Sequence, residues 1–357
     1  MSINIGITGL AKSGRTTIFN ALTRGKADTR SATPHIGVTK VPEPRLKVLA
    51  DMLHPKKVVP AEVSYTDIGA SVKASGSQIL NQIGNADALL NVVRAFSDDS
   101  IPHVEGSLDV DRDIATNNLE LAVYDSGIIN RRLEKIEVSL KGAKPTERQG
   151  LLHEQELLAR IKTELEKEMP VRELSLSSDE LKTIANYQFL TAKPLLIVVN
   201  IGEGQIPQAP SLEAQLNSRY SRARSGVITL CGKLEMELAQ LDDDAARSFR
   251  ADFGLTESGL DRVIKLSYEL LGLISFFTIA SGEVKAWSIQ KGTSAIKAAG
   301  KIHSDMERGF IRAEVTSYND LMKCGSLAET QKRGLLRLEG KSYIVQDGDV
   351  ITFLFNV

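Results

Sequence analysis

Eight consecutive residues near the start of the chain have the types and spacing needed to hold a phosphate. They are Gly9-Leu10-Ala11-Lys12-Ser13-Gly14-Arg15-Thr16, followed by Thr17. An alternating apolar run, Ile3-Asn4-Ile5-Gly6-Ile7, comes before them, and Thr17-Ile18-Phe19-Asn20-Ala21-Leu22 comes after. Strand, glycine loop and helix are the context a phosphate-binding loop requires. Backbone N–H groups in such a loop point inward, and the start of the helix adds positive potential. Lys12, Ser13, Gly14, Arg15, Thr16 and Thr17 are therefore the expected phosphate ligands. Arg15 stands where this loop usually carries lysine. It keeps the charge, but its planar fork is bulkier and the exchange is not conservative. The alternative is an ordinary tight turn between a strand and a helix.

The surrounding elements supply the frame for that loop. Apolar runs at 61–66, 88–93, 195–199 and 226–230 read as further strands separated by helices. Near-continuous apolar strands predict a parallel sheet covered on both faces, an α/β fold. Ligands in such sheets sit beyond the carboxyl ends of the strands. Asp67, Asn200 and Cys231 each follow a strand end, as the glycine loop does. Arg24 to Lys40 shows no clear periodicity, and a short helix with Leu46, Leu49 and Leu53 follows it. Between the third and fourth strands, Ile129, Leu133, Ile136 and Leu140 form one helical seam, and Leu151, Leu158, Ile161 and Leu165 form another. Gly142-Ala143-Lys144-Pro145 separates them as a helix stop. This predicts an antiparallel helical hairpin. Its charges read as a solvated face. A second reading makes Arg131, Arg132, Lys135, Lys141, Lys144 and Arg148 a contact surface for RNA.

The last eighty or so residues change to short strands and helices. Strands are predicted at 284–289 and 310–315 and a short helix at 295–299. The segment 343–353 reads as a hairpin turning at Asp347-Gly348. Trp287 is expected in the core. The chain has 357 residues and a net charge of −1, enough for two or three domains and without the overall charge of a DNA binder. Its two cysteines, Cys231 and Cys324, exclude a disulfide framework or a thiolate metal site. No apolar run reaches membrane-spanning length, and the N-terminus reads as a strand rather than a signal peptide. The expectation is a soluble, cytoplasmic protein with no membrane partner.

Several stretches together resemble the YchF family of Obg-like P-loop NTPases. They are 9–23, 42–46, 87–96, 200–203 and the C-terminal third. The most specific are Gly309-Phe310-Ile311-Arg312-Ala313-Glu314-Val315, Leu338-Glu339-Gly340-Lys341 and Gln346-Asp347-Gly348-Asp349-Val350. The resemblance runs the whole length in the same order. It implies a P-loop G domain at 1–110 and 186–275, an inserted α-helical coiled-coil hairpin at 111–185, and a C-terminal α+β β-grasp (TGS) domain at 276–357. It also implies a monomer that hydrolyses ATP or GTP, often preferring ATP, with Mg2+ as cofactor and the ribosome or ribosomal RNA as partner.

Carried onto this chain, the resemblance assigns roles residue by residue. Thr16 and Asp67 match the metal-holding pair. Asn200, Ile201, Glu203, Cys231, Gly232 and Lys233 match the base-binding loops. GTPases commonly carry Asn-Lys-x-Asp at the first of these, where the aspartate accepts from guanine donors. Here Glu203 replaces that aspartate and Ile201 the lysine, and adenine offers no donors at those two positions. Ser31, with Thr33 as a rival, matches switch I. Gly69 is one residue out of register with the glycine that meets the γ-phosphate, and the segment beyond it is short. His103 matches a histidine thought to position the attacking water. Three functions remain open: a slow ATPase, a nucleotide-binding pseudo-NTPase adaptor, and a GTPase. Thr16, Asp67, Asn200 and His103 favour the first. Arg15, Gly69 and the short switch favour the second.

Overall fold

The computed structural model describes residues 3–25, 27, 34–68, 83–222, 224–280 and 282–356. Its strands in chain order are β1 (Ile3–Thr8), β2 (His35–Lys40), β3 (Lys57–Val59), β4 (Glu62–Asp67), β5 (Ala88–Arg94), β6 (Leu195–Asn200), β7 (Ser225–Leu230), β8 (Leu273–Ala280), β9 (Glu283–Gln290), β10 (Phe310–Ser317), β11 (Arg337–Glu339) and β12 (Asp349–Phe355). The helices used below are α1 (Arg15–Thr23), α2 (Pro44–Leu53), α3 (Val110–Leu140), α4 (Pro145–Glu166) and α5 (Gly232–Leu238). The chain divides into two compact units, and each is built on a six-stranded sheet.

The first unit comprises Ile3–Thr39 and Ser64–Val263. Its strand order is β2-β4-β1-β5-β6-β7. β1 runs parallel to β5, β5 to β6 and β6 to β7, with Leu89 opposite Leu195 and Leu195 opposite Ser225. Every residue of β5 and β6 is buried, so these strands read as unbroken apolar runs. From β1 the chain passes to β2 and β4 on one side and to β5 on the other. The carboxyl end of β1 is thus the crevice where the sheet's connections diverge, the usual ligand position. β2 lies within the stretch that shows no periodicity. It is an edge strand whose apolar residues, Ile36 and Val38, point outward while His35, Gly37 and Thr39 point in. That inversion is why the hydrophobic pattern conceals it.

The helical hairpin forms as predicted. α3 is capped by Asp109, which accepts from the Arg112 N–H, and Pro145 opens α4. Ile129, Ile136, Leu158, Ile161 and Leu165 are buried between the helices, and Leu133, Leu140 and Leu151 pack at their margin. Arg132 and Glu154 add an ion pair at 2.7 Å. Midway along α3, Asp125 is fully buried. Its carboxylate accepts from the N–H groups of Leu190 and Thr191 at 2.9 and 2.8 Å and from the Thr191 hydroxyl at 2.6 Å. These bonds fasten α3 to the turn that precedes β6.

The second unit is made of residues 40–63 and 264–356. Its strand order is β11-β10-β12-β8-β9-β3. β8 and β9 pair antiparallel, β12 runs antiparallel to β10 and parallel to β8, and β11 flanks β10, which is a β-grasp arrangement. The expected 343–353 hairpin is not formed. Asp347-Gly348 is a loop leading into β12, whose partners are distant in sequence. The Asp349 carboxylate accepts from the Gln346 N–H and the Tyr343 hydroxyl, which holds 343–346 out of strand pairing with β12. Trp287 packs at the edge of the core and donates to the Thr278 hydroxyl.

Residues 40–63, read from the sequence as part of the nucleotide domain, lie in this second unit. β3 runs parallel to β9, with Lys57 opposite Glu283. Just before β3, Arg45 on α2 donates to Glu43 and to Asp347, both at 2.7 Å, with its guanidinium 5.4 Å from the Phe277 ring centroid. Among the described residues, no helix is long and apolar enough to cross a membrane.

Burial pushes the Asp125 carboxyl up to about 6, against the opposing bonds from Thr191 and Leu190. Because the folded-state pKa lies above the unfolded one, this group's contribution is full below about pH 4 and is lost as pH rises through about 6. Thermal denaturation of the parent and of Asp125→Asn should therefore converge or cross by roughly 3 kcal/mol between pH 4 and pH 7. A pH-independent difference would contradict this.

Candidate nucleotide site

The glycine loop leaves β1 with its backbone in conformations that only its own sequence tolerates easily. Gly9 has φ +132°, and a Cβ there would stand 2.3 Å from the Val92 carbonyl oxygen. Gly14 has φ +94°, and its Cβ would stand 2.2 Å from Asn200 Nδ2. Any side chain at either position must displace backbone or a buried amide. α1 then begins at Arg15. Its N-cap, Gly14, supplies no side-chain cap, and its first turn holds no acidic residue. No side chain of the N-cap and no acidic residue of the first turn thus offsets the positive end of the helix.

Two hard oxygen donors stand beside that helix start. Thr16 Oγ1 donates to Asp67 Oδ2 at 2.7 Å, and both residues are buried. Asp67 Oδ1 is buried with no hydrogen-bond partner among the described residues. A hydroxyl next to a carboxylate with an orphaned oxygen fits Mg2+, which takes few protein ligands and keeps several waters. Arg15 is only 6% exposed. Burial pulls its pKa down from the usual arginine range, and the carboxylates of Asp67 and Glu120 oppose that. Thr17 is half-buried on the same turn, and Lys12 reaches the Pro102 carbonyl at 3.5 Å.

The base loops meet at Asn200, which is 4% exposed. Its Nδ2 donates to the Ser13 carbonyl at 3.0 Å, and its Oδ1 accepts from the Gly232 N–H at 2.9 Å. The second Nδ2 hydrogen is the one left for a purine nitrogen. Glu203 pairs with Lys233 at 3.0 Å, both partly exposed, and Glu203 holds the Lys233 ammonium above its ordinary range. The side chains of Ile201 and Cys231 belong to the core, 2% and 5% exposed, which leaves their backbone for any contact with a base. Ser31, Thr33 and Gly69 lie outside the described residues.

His103 is placed differently from its expected role. Its Nε2 lies 2.9 Å from Asp113 Oδ2, and its Nδ1 accepts from the Glu105 N–H at 3.1 Å. Both ring nitrogens are therefore committed within the protein, and the side chain is 5% exposed. Neither nitrogen is presented to a water beside the phosphate loop. Asp113 is held in turn by Arg112 at 2.9 and 3.1 Å.

Sequence reasoning passes over Phe96. The ring lies 3.8 Å from the Cβ position of Gly14, its own Cβ lies 3.7 Å from that of Gly202, and the Arg94 guanidinium is 4.5 Å from its centroid. An aromatic residue just after a strand end, in a loop converging on the base side, was the available signal.

Residues 273–356 match the model of the YchF-GTPase_C family, described as a protein of unknown function (DUF933). Over its full length the chain is 40% identical to the protein called ribosome-binding ATPase YchF in Bacillus subtilis (strain 168), covering all of both chains. It is 37% identical to the protein of that name in Pasteurella multocida (strain Pm70), again over all of both. Among solved structures, that of the Schizosaccharomyces pombe YchF GTPase aligns with a TM-score of 0.85 at 28% identity, covering 99% of this chain and 98% of that one.

Replacing Asn200 by alanine leaves the Ser13 carbonyl and the Gly232 N–H buried and unpaired. Denaturant unfolding should show a loss of about 2 kcal/mol. Asn200→Asp, which turns an oxygen toward the Ser13 carbonyl, should cost at least as much. A variant as stable as the parent would show that the amide does not hold the loops together.

Proposed function

The chain belongs to the YchF family, and from that premise we propose that it binds purine nucleotide at 9–17, prefers ATP to GTP, hydrolyses it slowly and works at the ribosome. The observation that carries the reading is the uncapped start of α1 beside the Thr16–Asp67 pair, bounded by the Asn200 bridge. α1 and the loop amides receive the phosphates, and Arg15 contributes a cation. Thr16 and Asp67 would hold Mg2+, which when bound supplies charge neutralisation at the β- and γ-phosphates. Asn200 and the backbone of Ile201, Cys231 and Gly232 frame the base.

The ATP preference rests on Glu203. Its carboxylate is occupied by Lys233 rather than presented bare to a base, and adenine lacks the donors that guanine would offer it. Slow turnover is supported by His103, which must leave Asp113 before it can order a water. The same bond favours the second reading, an adaptor that binds nucleotide without useful hydrolysis. A ribosomal role is supported by the relatives' name, ribosome-binding ATPase, and by the exposed basic residues Lys141, Lys144 and Arg148 around the hairpin tip.

Calorimetric titration with Mg2+ and non-hydrolysable analogues should give tighter binding of the adenine nucleotide, by about tenfold or 1.4 kcal/mol. Equal or tighter guanine-nucleotide binding would overturn the preference. Thr16→Ala should remove most of the Mg2+ dependence of binding. Changing Lys141, Lys144 and Arg148 together to alanine should reduce co-sedimentation with ribosomes, and the residual binding should be less steeply dependent on salt. Unchanged pelleting would place the partner surface elsewhere.

A further inference from the structure

We infer that the cavity at the root of the helical hairpin binds a small aliphatic hydroxy acid, with Arg172 receiving its carboxylate. The cavity shares no residue with the glycine loop or the base loops, and all its lining belongs to the first unit.

The cavity encloses about 190 Å3. Ile114 and Asn118 stand one turn apart on the same face of α3, with Leu119 beside them. α4 contributes Leu165 from its last turn. The helix ends just beyond, where Glu168 adopts φ +63° and the Met169 N–H turns back to the Glu164 carbonyl at 3.0 Å. That reversal lays Met169 and Arg172 against the cavity. Leu119 and Met169 reach solvent, so the cavity is accessible from outside.

Arg172 has fewer partners than a buried cation needs. Among the described residues, its guanidinium makes one long hydrogen bond, 3.4 Å from Nη1 to the Thr191 carbonyl, and no ion pair. Its Nε is buried without a partner. The Asp125 carboxylate is engaged elsewhere, by Leu190 and Thr191. Glu168 lines the same cavity and does not pair with Arg172. Burial pulls the Arg172 pKa down to about 10, against Glu173 and Asp125 and with Arg224 adding to the fall, so the group stays charged at neutral pH. A guanidinium held out of water calls for an anion with hydrogen-bonding oxygens.

The rest of the lining narrows the choice of anion. Arg172 is the only basic residue of the described lining, so a monoanionic carboxylate balances it and a dianionic phosphate does not. Asn118 Oδ1 is buried without a partner too. An amide oxygen only accepts, so the ligand must bring a donor. A neutral hydroxyl serves, whereas an ammonium would set a second cation beside Arg172. Ile114, Leu119, Leu165 and Met169 leave the remaining wall apolar, for a short hydrocarbon chain. An apolar cavity of about 150 Å3 holds benzene, so this one suits an acid of about four to six carbons.

The test uses the full chain and three probes: α-hydroxyisovalerate, isovalerate, which lacks the hydroxyl, and α-hydroxyisovaleramide, which lacks the carboxylate. Affinity is read by calorimetry and ligand-observed NMR, with melting temperatures alongside. The parent should bind α-hydroxyisovalerate with a Kd of about 1 mM or tighter. Isovalerate should bind about fivefold more weakly, for want of one neutral hydrogen bond. The amide should bind at least about tenfold more weakly, for want of the charge. Arg172→Met should lose the discrimination between acid and amide, and Asn118→Leu that between the hydroxy acid and isovalerate. A purely structural Arg172 would shift the melting temperature of Arg172→Met and leave the acid-to-amide ratio unchanged. If Arg172→Met does not fold, Arg172→Lys takes its place. It keeps the charge without the fork, and the hydroxy acid should bind about threefold more weakly. The inference is overturned if the parent does not bind α-hydroxyisovalerate at ten times that concentration, or binds the amide or isovalerate as tightly. An unchanged acid-to-amide ratio in Arg172→Met, or unchanged acid affinity in Arg172→Lys, overturns it equally.

Discussion

A buried asparagine amide ties three loops together. Asn200, at the end of β6, donates to the loop after β1 and accepts from the start of α5 after β7. Both partners are backbone groups, so the bond fixes main-chain positions independently of neighbouring side chains. The consequences reach Gly14, which has no room for a Cβ because the amide occupies the space, and α1, whose first turn starts from Gly14. The parallel register of β1, β5, β6 and β7 brings these loop ends to one edge of the sheet. The packed strands supply the rigidity, and the amide turns it into a fixed distance between the phosphate loop and the base loops.

α3 is the second wall of the same region. Its inner face carries polar residues among the apolar ones: Asp113, Asn117 and Asp125 are buried beside Ile114, Leu121 and Ile129, and each has a partner outside the helix. Buried polar groups that find partners favour one arrangement, as the carboxylates of Asp113 and Asp125 and the Asn117 amide oxygen do here. The hairpin is accordingly fastened to the phosphate-loop side of its unit and to the turn before β6, while its far half is held by ordinary apolar packing between α3 and α4.

The parts legible from sequence were those fixed by local pattern. β5 and β6 read as strands because both faces are buried, and α3 and α4 read as helices because their seams repeat at three and four. The glycine loop was legible because a tight strand-to-helix turn restricts its backbone to glycine at Gly9 and Gly14. What was not legible depended on distant partners. β2 turns Ile36 and Val38 outward, so its alternation misleads. β12 pairs with β8 and β10 rather than with the residues just before it, and β3 joins β9 across more than half the chain. Within the site, the family resemblance pointed to Thr16, Asp67 and Asn200. It could not reveal that His103 is held by Asp113 or that Phe96 borders the loop. Each of those facts is set by which side chain stands opposite, and one sequence does not carry that information.

The central claim is that one frame, the glycine loop with the first turn of α1 and the loops joined by Asn200, receives a purine nucleotide. Amide hydrogen exchange of the full chain with and without Mg2+ and a non-hydrolysable ATP analogue tests it most directly. The account predicts slowed exchange at 12–17 and at 231–233 together, because one ligand would cover the loop and steady the bridge. Protection confined to other segments, or none at these two at saturating nucleotide, would contradict it.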